Sequence, residues 1–112
     1  MRRATSLLGI HVDRVDTASV LEAVERFVRD GRPHQICYLN PECLNQAVFD
    51  RRYRSILNEA DLVYPDGMGV VWASRLFGEP LPERVNLGDF LPHLCRLCSG
   101  NGYRLFLLGG AP

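Results

Sequence analysis

The run Asp61-Leu62-Val63-Tyr64-Pro65-Asp66-Gly67-Met68-Gly69-Val70-Val71 decides the fold class of this chain. Asp61–Tyr64 has the length and apolar character of a strand. Pro65-Asp66-Gly67 is a turn, and the apolar spacing beyond it predicts a helix over Met68–Phe77. Apolar strands that do not alternate belong in parallel sheets covered on both faces. Ligands of such sheets bind beyond the carboxyl ends of the strands, which is where Asp66 stands.

The flanking segments repeat the pattern. Upstream, Gln35–Leu39 is a short apolar run of strand length. Asn40 can cap the helix that follows, with Pro41 at its first position and Leu44, Ala47 and Val48 on its apolar face. A further helix near Tyr53–Glu59 buries Tyr53, Ile56 and Leu57. Before these, Leu7–Val12 reads as the first strand. Asp16 or Thr17 then caps a helix to about Asp30, with Val20, Leu21, Val24, Phe27 and Val28 on one face and Gly31 and Pro33 as its stop. Downstream, Gly78, Pro80 and Pro82 form a loop, and a helix runs from about Asp89 to Ser99. Asn101-Gly102 is a turn, and Tyr103–Leu108 is an apolar strand ending in Gly109-Gly110. The expectation is an α/β, Rossmann-like domain with a mainly parallel sheet and helices on both faces. The chain stops where its next helix would begin, so residues 1–112 read as the N-terminal part of one domain whose C-terminal half is absent.

Composition agrees with one folded core: 46% of the 112 residues are hydrophobic and 23% charged. Thirteen basic residues balance 13 acidic ones, so no net field steers the chain toward nucleic acid. Leu7–Ile10 is too short for a signal-peptide core, and no apolar run approaches the roughly 20 residues that span a bilayer. Cys95 and Cys98 have the spacing of half a zinc site or of a redox pair, yet no second close pair exists. Of the four cysteines, Cys37, Cys43, Cys95 and Cys98, the last two sit in the apolar helical pattern of Phe90, Leu91, Leu94 and Leu97 and read as buried or half-buried free thiols. His11, His34 and His93 form no metal pattern and read as structural or surface residues, with His93 on the solvent side of its helix. Trp72 reads as core.

Three strand ends carry polar or glycine-rich turns that a parallel sheet would bring to one rim: Asn40-Pro41-Glu42, Pro65-Asp66-Gly67 and Gly109-Gly110. Asp66 suits a general base, or caps the next helix. Asn40 can hold a sugar hydroxyl or cap its own helix. Arg84 suits a diphosphate through its bidentate guanidinium, or forms a surface salt bridge with Glu83 or Asp89. Asp89 can also cap the helix it opens. Gly109 and Gly110 let backbone approach a phosphate, or make a tight turn.

Taken together, Asn40-Pro41-Glu42-Cys43-Leu44-Asn45-Gln46-Ala47, Tyr53–Val63, Pro65-Asp66-Gly67-Met68-Gly69, Pro80-Leu81-Pro82-Glu83-Arg84-Val85 and Gly102–Gly110 resemble the WecG/TagA/CpsF glycosyltransferases nearly end to end. Three positions depart from that family's pattern. Tyr38 replaces a Thr, and Leu87-Gly88 replaces Gly-Ser/Thr before Asp89. The resemblance implies an inverting transferase that needs no bound metal or other cofactor. It would move an N-acetylmannosamine-type sugar from a UDP-sugar donor to a lipid-diphosphate-linked N-acetylglucosamine acceptor. It implies Asp66 as catalytic base and Tyr38, Asn40, Gly67, Arg84, Asp89, Gly109 and Gly110 as substrate-binding positions. It further implies a cytoplasmic protein, peripheral at the inner face of the membrane, with no nucleic-acid partner and with homo-oligomerisation open. The rivals are a different nucleotide-binding α/β enzyme and a non-catalytic remnant. The first lacks a Gly-x-Gly-x-x-Gly after its first strand.

Overall fold

A computed structural model describes residues 4–76, 78, 81 and 87–109, with the side chains of residues 87–89 left aside. The elements in chain order are β1 (Ala4–Leu7), β2 (Ile10–Asp13), α1 (Thr17–Asp30), β3 (Ile36–Leu39), α2 (Pro41–Phe49), α3 (Arg51–Glu59), β4 (Leu62–Pro65), α4 (Met68–Leu76) and α5 (Leu87–Asn101).

The predicted first strand, Leu7–Val12, is instead a hairpin. β1 pairs antiparallel with β2, with Leu7 opposite Ile10. The two residues between them, Leu8 at φ 51° and Gly9 at φ 83°, are both left-handed. That conformation suits a two-residue hairpin turn, whose twist matches that of its strands. Asn58 of α3 locks the turn from outside: its Oδ1 accepts from the His11 N–H and its Nδ2 donates to the Gly9 carbonyl, both at 2.9 Å.

β3 and β4 form the expected parallel pair, in register from Ile36↔Leu62 to Leu39↔Pro65. Side chains alternate across such a sheet, and the packing divides accordingly. Leu39 and Val63 join Ala47, Leu57, Val70, Val71 and the hairpin's Leu7, Ile10 and Val12 in one core, lined by α2, α3 and α4. Leu62, Tyr64 and Ile36 pack on the other face against Val20 and Ala23 of α1 and Phe90 of α5. Helices therefore cover both faces of the parallel pair. The extended parallel sheet is not seen among the described residues, which hold two two-stranded sheets, one parallel and one antiparallel.

A buried carboxylate links the two sheets. The N–H groups of Leu62 and Asp66 point to β3, where they bond the carbonyls of Gln35 and Leu39. Val63, one residue out of phase, points its N–H the other way. There Asp13 Oδ2 accepts it at 2.7 Å, with Asp13 only 1% exposed. The next outward residue on that edge, Pro65, has no N–H to satisfy.

The helix ends follow local chemistry. Asp16 caps α1, accepting from Ser19 N at 2.8 Å, and Gly31 ends it in the left-handed region. α3 begins at Arg51, where Asp50 accepts from the Tyr53 N–H. α5 starts two residues earlier than expected and carries Pro92 inside it.

Four further expectations are corrected. Tyr103–Leu108 is not a strand: it has no ladder partner among the described residues, and Phe106 and Leu108 are 85% and 92% exposed. Trp72 is not core. α4 buries Val70, Val71 and Ser74, and that phase turns Trp72 outward. Ile56 is exposed, while Leu57 carries the burial of α3. Cys95 is exposed, whereas Cys37, Cys43 and Cys98 are half-buried, and all four are free thiols.

Candidate active site

The carboxyl ends of β3 and β4 build the candidate site. Leu39 and Pro65 are register partners, and the Asp66 N–H extends the ladder to the Leu39 carbonyl at 2.9 Å. Asn40 and Asp66 thus leave the sheet side by side, each leading toward a helix N-terminus. Gly67, at φ 94°, makes the sharp turn into α4 that a side chain would resist. The two helix starts are close. A Cβ placed on Gly69 would lie 2.6 Å from Pro41 Cγ, so only glycine lets α2 and α4 approach this closely.

The two polar side chains differ in what they already do. Asn40 caps α2, its Oδ1 accepting from Cys43 N at 2.8 Å, and its Nδ2 has no hydrogen bond among the described residues. Asp66 makes no capping bond to α4. Its half-buried carboxylate has no hydrogen bond among the described residues.

Tyr38 and Tyr64 flank Asp66 on one face of the sheet. They are register partners, their ring centroids 6.4 Å apart and tilted by 45°. Tyr38 is 47% exposed and offers a ring face at the rim. Tyr64 is buried, and its phenol is held above the usual tyrosine range first by burial and then by the charge of Asp66. Sequence reasoning passed over Tyr64. The signal was available: residues two apart on a strand share a face, which places Tyr64 beside Asp66.

Tyr38, Asn40, Asp66 and Gly67 therefore come together. The Asp89 backbone lies in the first turn of α5, and Gly109 follows the irregular segment at φ 119°. Arg84 and Gly110 fall outside the described residues, as does the Asp89 side chain. No group of three or more His, Cys, Asp or Glu able to hold a metal ion occurs among the described residues. No described helix is long and apolar enough to cross a membrane.

A parallel β-pair covered by helices on both faces, beside an antiparallel hairpin, makes this a mixed α/β fold. The profile of the Glycosyl transferase WecG/TagA/CpsF family matches residues 5–112, and the chain belongs to that family. It is 32% identical over 100 residues to an N-acetylglucosaminyldiphosphoundecaprenol N-acetyl-beta-D-mannosaminyltransferase of Bacillus spizizenii, covering 89% of this chain and 39% of that protein. It is 27% identical over 105 residues to a protein of the same name from Staphylococcus aureus, covering 92% of this chain and 41% of the relative. The chain thus spans about two-fifths of the length of these relatives.

Proposed function

We propose that this chain forms part of an inverting glycosyltransferase. It moves an N-acetylmannosamine-type sugar from UDP to an undecaprenyl-diphosphate-linked N-acetylglucosamine, at the inner face of the membrane. The names of the relatives support this reading of donor sugar and acceptor. In the same reading the β3–β4 pair is part of a larger Rossmann-like sheet.

The observation that carries the mechanism is the Asp66 carboxylate at the rim of the parallel pair, which makes no hydrogen bond among the described residues. It takes the proton of the acceptor hydroxyl as that oxygen attacks the anomeric carbon. The bond from the anomeric carbon to the UDP oxygen breaks from the opposite face. UDP leaves with the bonding electrons, and the configuration inverts. Negative charge then grows on the diphosphate, where the N–H groups opening α2 and α4 can meet it, and a guanidinium such as that of Arg84 suits the same charge by its chemistry. In this reading the Asn40 amide and the exposed ring of Tyr38 orient a sugar.

Transfer from UDP-N-acetylmannosamine to a short-chain lipid-diphosphate N-acetylglucosamine tests this, using the protein in full and its Asp66→Asn variant. The variant should lose about 10²–10⁴-fold in kcat with little change in KM. Equal rates would remove Asp66 from the chemistry, and no transfer by the wild type would remove this donor and acceptor.

A further inference from the structure

Four residues form a grid at the rim of the parallel pair. Tyr38 and Tyr64 are register partners. Two residues further along the same strands stand Asn40 and Asp66, kept level by the bond from the Asp66 N–H to the Leu39 carbonyl. Residues two apart on a strand share a face and lie about 6.6 Å apart, and neighbouring strands lie about 4.8 Å apart. The aromatic pair therefore sits about one sugar ring's breadth below the polar pair. The two rings differ in burial. Tyr64 packs into the core with Val20, Ala23 and Phe90, whereas Tyr38 is half-exposed. Their centroids lie 6.4 Å apart at a tilt of 45°, so the buried ring braces the exposed one.

We infer that Tyr38 is the platform for the acceptor sugar, its ring stacking on the pyranose of the lipid-diphosphate-linked N-acetylglucosamine, an assignment that rests on the transferase reading above. Position selects the acceptor over the donor. The proton that Asp66 takes is the acceptor's, so the side chains beside Asp66 meet the acceptor, while the leaving diphosphate lies beyond the anomeric carbon. Tyr38 stands one strand across and one step below Asp66, so a sugar whose hydroxyl reaches the carboxylate can lay its ring on the phenol. Chemistry selects the same partner. An aromatic ring is negative on its face and attracts the weakly positive axial C–H groups of a pyranose. N-acetylglucosamine carries its acetamido group and its ring hydroxyls equatorially, which leaves a flat C–H surface. N-acetylmannosamine has an axial acetamido group at C2, which interrupts one face.

Titration calorimetry and initial rates test this, using the protein in full with a short-chain lipid-diphosphate N-acetylglucosamine as acceptor. Tyr38→Ala should weaken acceptor binding and raise the acceptor KM about tenfold, with the KM for UDP-N-acetylmannosamine within about twofold of wild type. Tyr38→Leu keeps apolar bulk on the strand without a ring face, and should bind the acceptor as weakly as the alanine variant. Tyr38→Phe returns the ring and should return the binding. A rise in the donor KM in place of the acceptor KM would move Tyr38 to the donor and overturn the platform. Acceptor binding that survives both Tyr38→Ala and Tyr38→Leu would also overturn it, and a lower Tm beside it would make the ring a packing element. Either result with transfer intact leaves the transferase reading standing. Ring-dependent acceptor binding without transfer from UDP-N-acetylmannosamine would support the platform while removing the function proposed above. A wild type that neither binds nor uses this acceptor would overturn both.

Discussion

Gly69→Ala is the substitution whose cost the structure specifies most closely. The new methyl would stand 2.6 Å from Pro41 Cγ and 3.7 Å from Pro41 Cβ and Cδ. The first distance is far inside van der Waals contact. The Pro41 ring is tied to its own backbone and cannot swing aside, so α2 or α4 must move. Overpacking of this kind costs about 1–3 kcal/mol. Opposing it, alanine is up to about 1 kcal/mol better than glycine within a helix. In a Pro41→Ala background the clashing Cγ is gone, and Gly69→Ala should then be neutral or stabilising. Pro41→Ala alone should cost about 0.4–1 kcal/mol by freeing the unfolded chain. The four proteins form a double-mutant cycle with an expected coupling of about 1–3 kcal/mol, read by thermal or denaturant unfolding. The same displacement separates Asn40 from Asp66, so transfer should fall in Gly69→Ala and recover in the double variant. An equal cost of Gly69→Ala in both backgrounds would refute the claim that close packing of α2 on α4 sets the site.

Other outcomes follow from the buried and paired carboxylates. Asp13→Ala leaves the Val63 N–H without its acceptor at a buried edge. It should cost about 1–3 kcal/mol, or about 4–8 °C in Tm for each kcal/mol. Asp13→Asn keeps an oxygen acceptor and should cost less, and an Asp13→Ala protein that melts with the wild type would dismiss the link between the sheets. His34 sets a pH window. Its Nδ1 lies 3.1 Å from Asp61 Oδ1 and its Nε2 2.7 Å from Asp30 Oδ2, with the ring stacked on Phe27. Both nitrogens can donate at once only in the imidazolium. The hydrogen bond to Asp61, followed by that to Asp30, raises His34 above its ordinary 6.5. Asp30 is lowered from 3.8 chiefly by the Arg32 N–H, and Asp61 from 3.8 chiefly by the Gln35 N–H. A raised histidine stabilises fully below 6.5 and loses that contribution as pH rises through its folded value. Lowered carboxylates stabilise above 3.8 and lose it as pH falls through theirs. The Tm advantage of wild type over His34→Gln should therefore be largest between these limits and shrink on the alkaline side. A difference independent of pH would show that the ring acts only by packing.

How much of this was legible depended on whether the deciding interaction was local. The starts of α1 and α2 follow from Asp16 and Asn40, whose side chains bond the backbone three residues on. The end of α1 follows from Gly31, which takes the left-handed conformation by itself. The hairpin did not show, because its turn puts Leu8 at a positive φ that its residue type does not advertise. Leu105–Leu108 has strand composition, but a strand needs a partner, and no property of the run supplies one. Trp72 failed for another reason: α4 is apolar on most sides, so its sequence gives no phase, and packing of Val70, Val71 and Ser74 chose which side faced water. The His34 clamp joins residues 4 and 27 positions away, a pairing set by the fold alone.

The same distinction bears on the candidate site. Asn and Asp at a strand end are equally suited to cap a helix or to meet a ligand, because both roles need one exposed oxygen near backbone N–H groups. Residue type and spacing cannot separate the two. The hydrogen bonds separate them here. Asn40 uses its oxygen to cap α2, and its neutral amide can orient a substrate but is too weak a base to remove its proton. Asp66 spends neither oxygen on α4 and stands beside a buried phenol that registers its charge. Of the two, only the Asp66 carboxylate is basic enough to accept a proton, which is why we propose Asp66 as the base and Asn40 as the orienting group of a reaction that begins by deprotonating a hydroxyl at this rim.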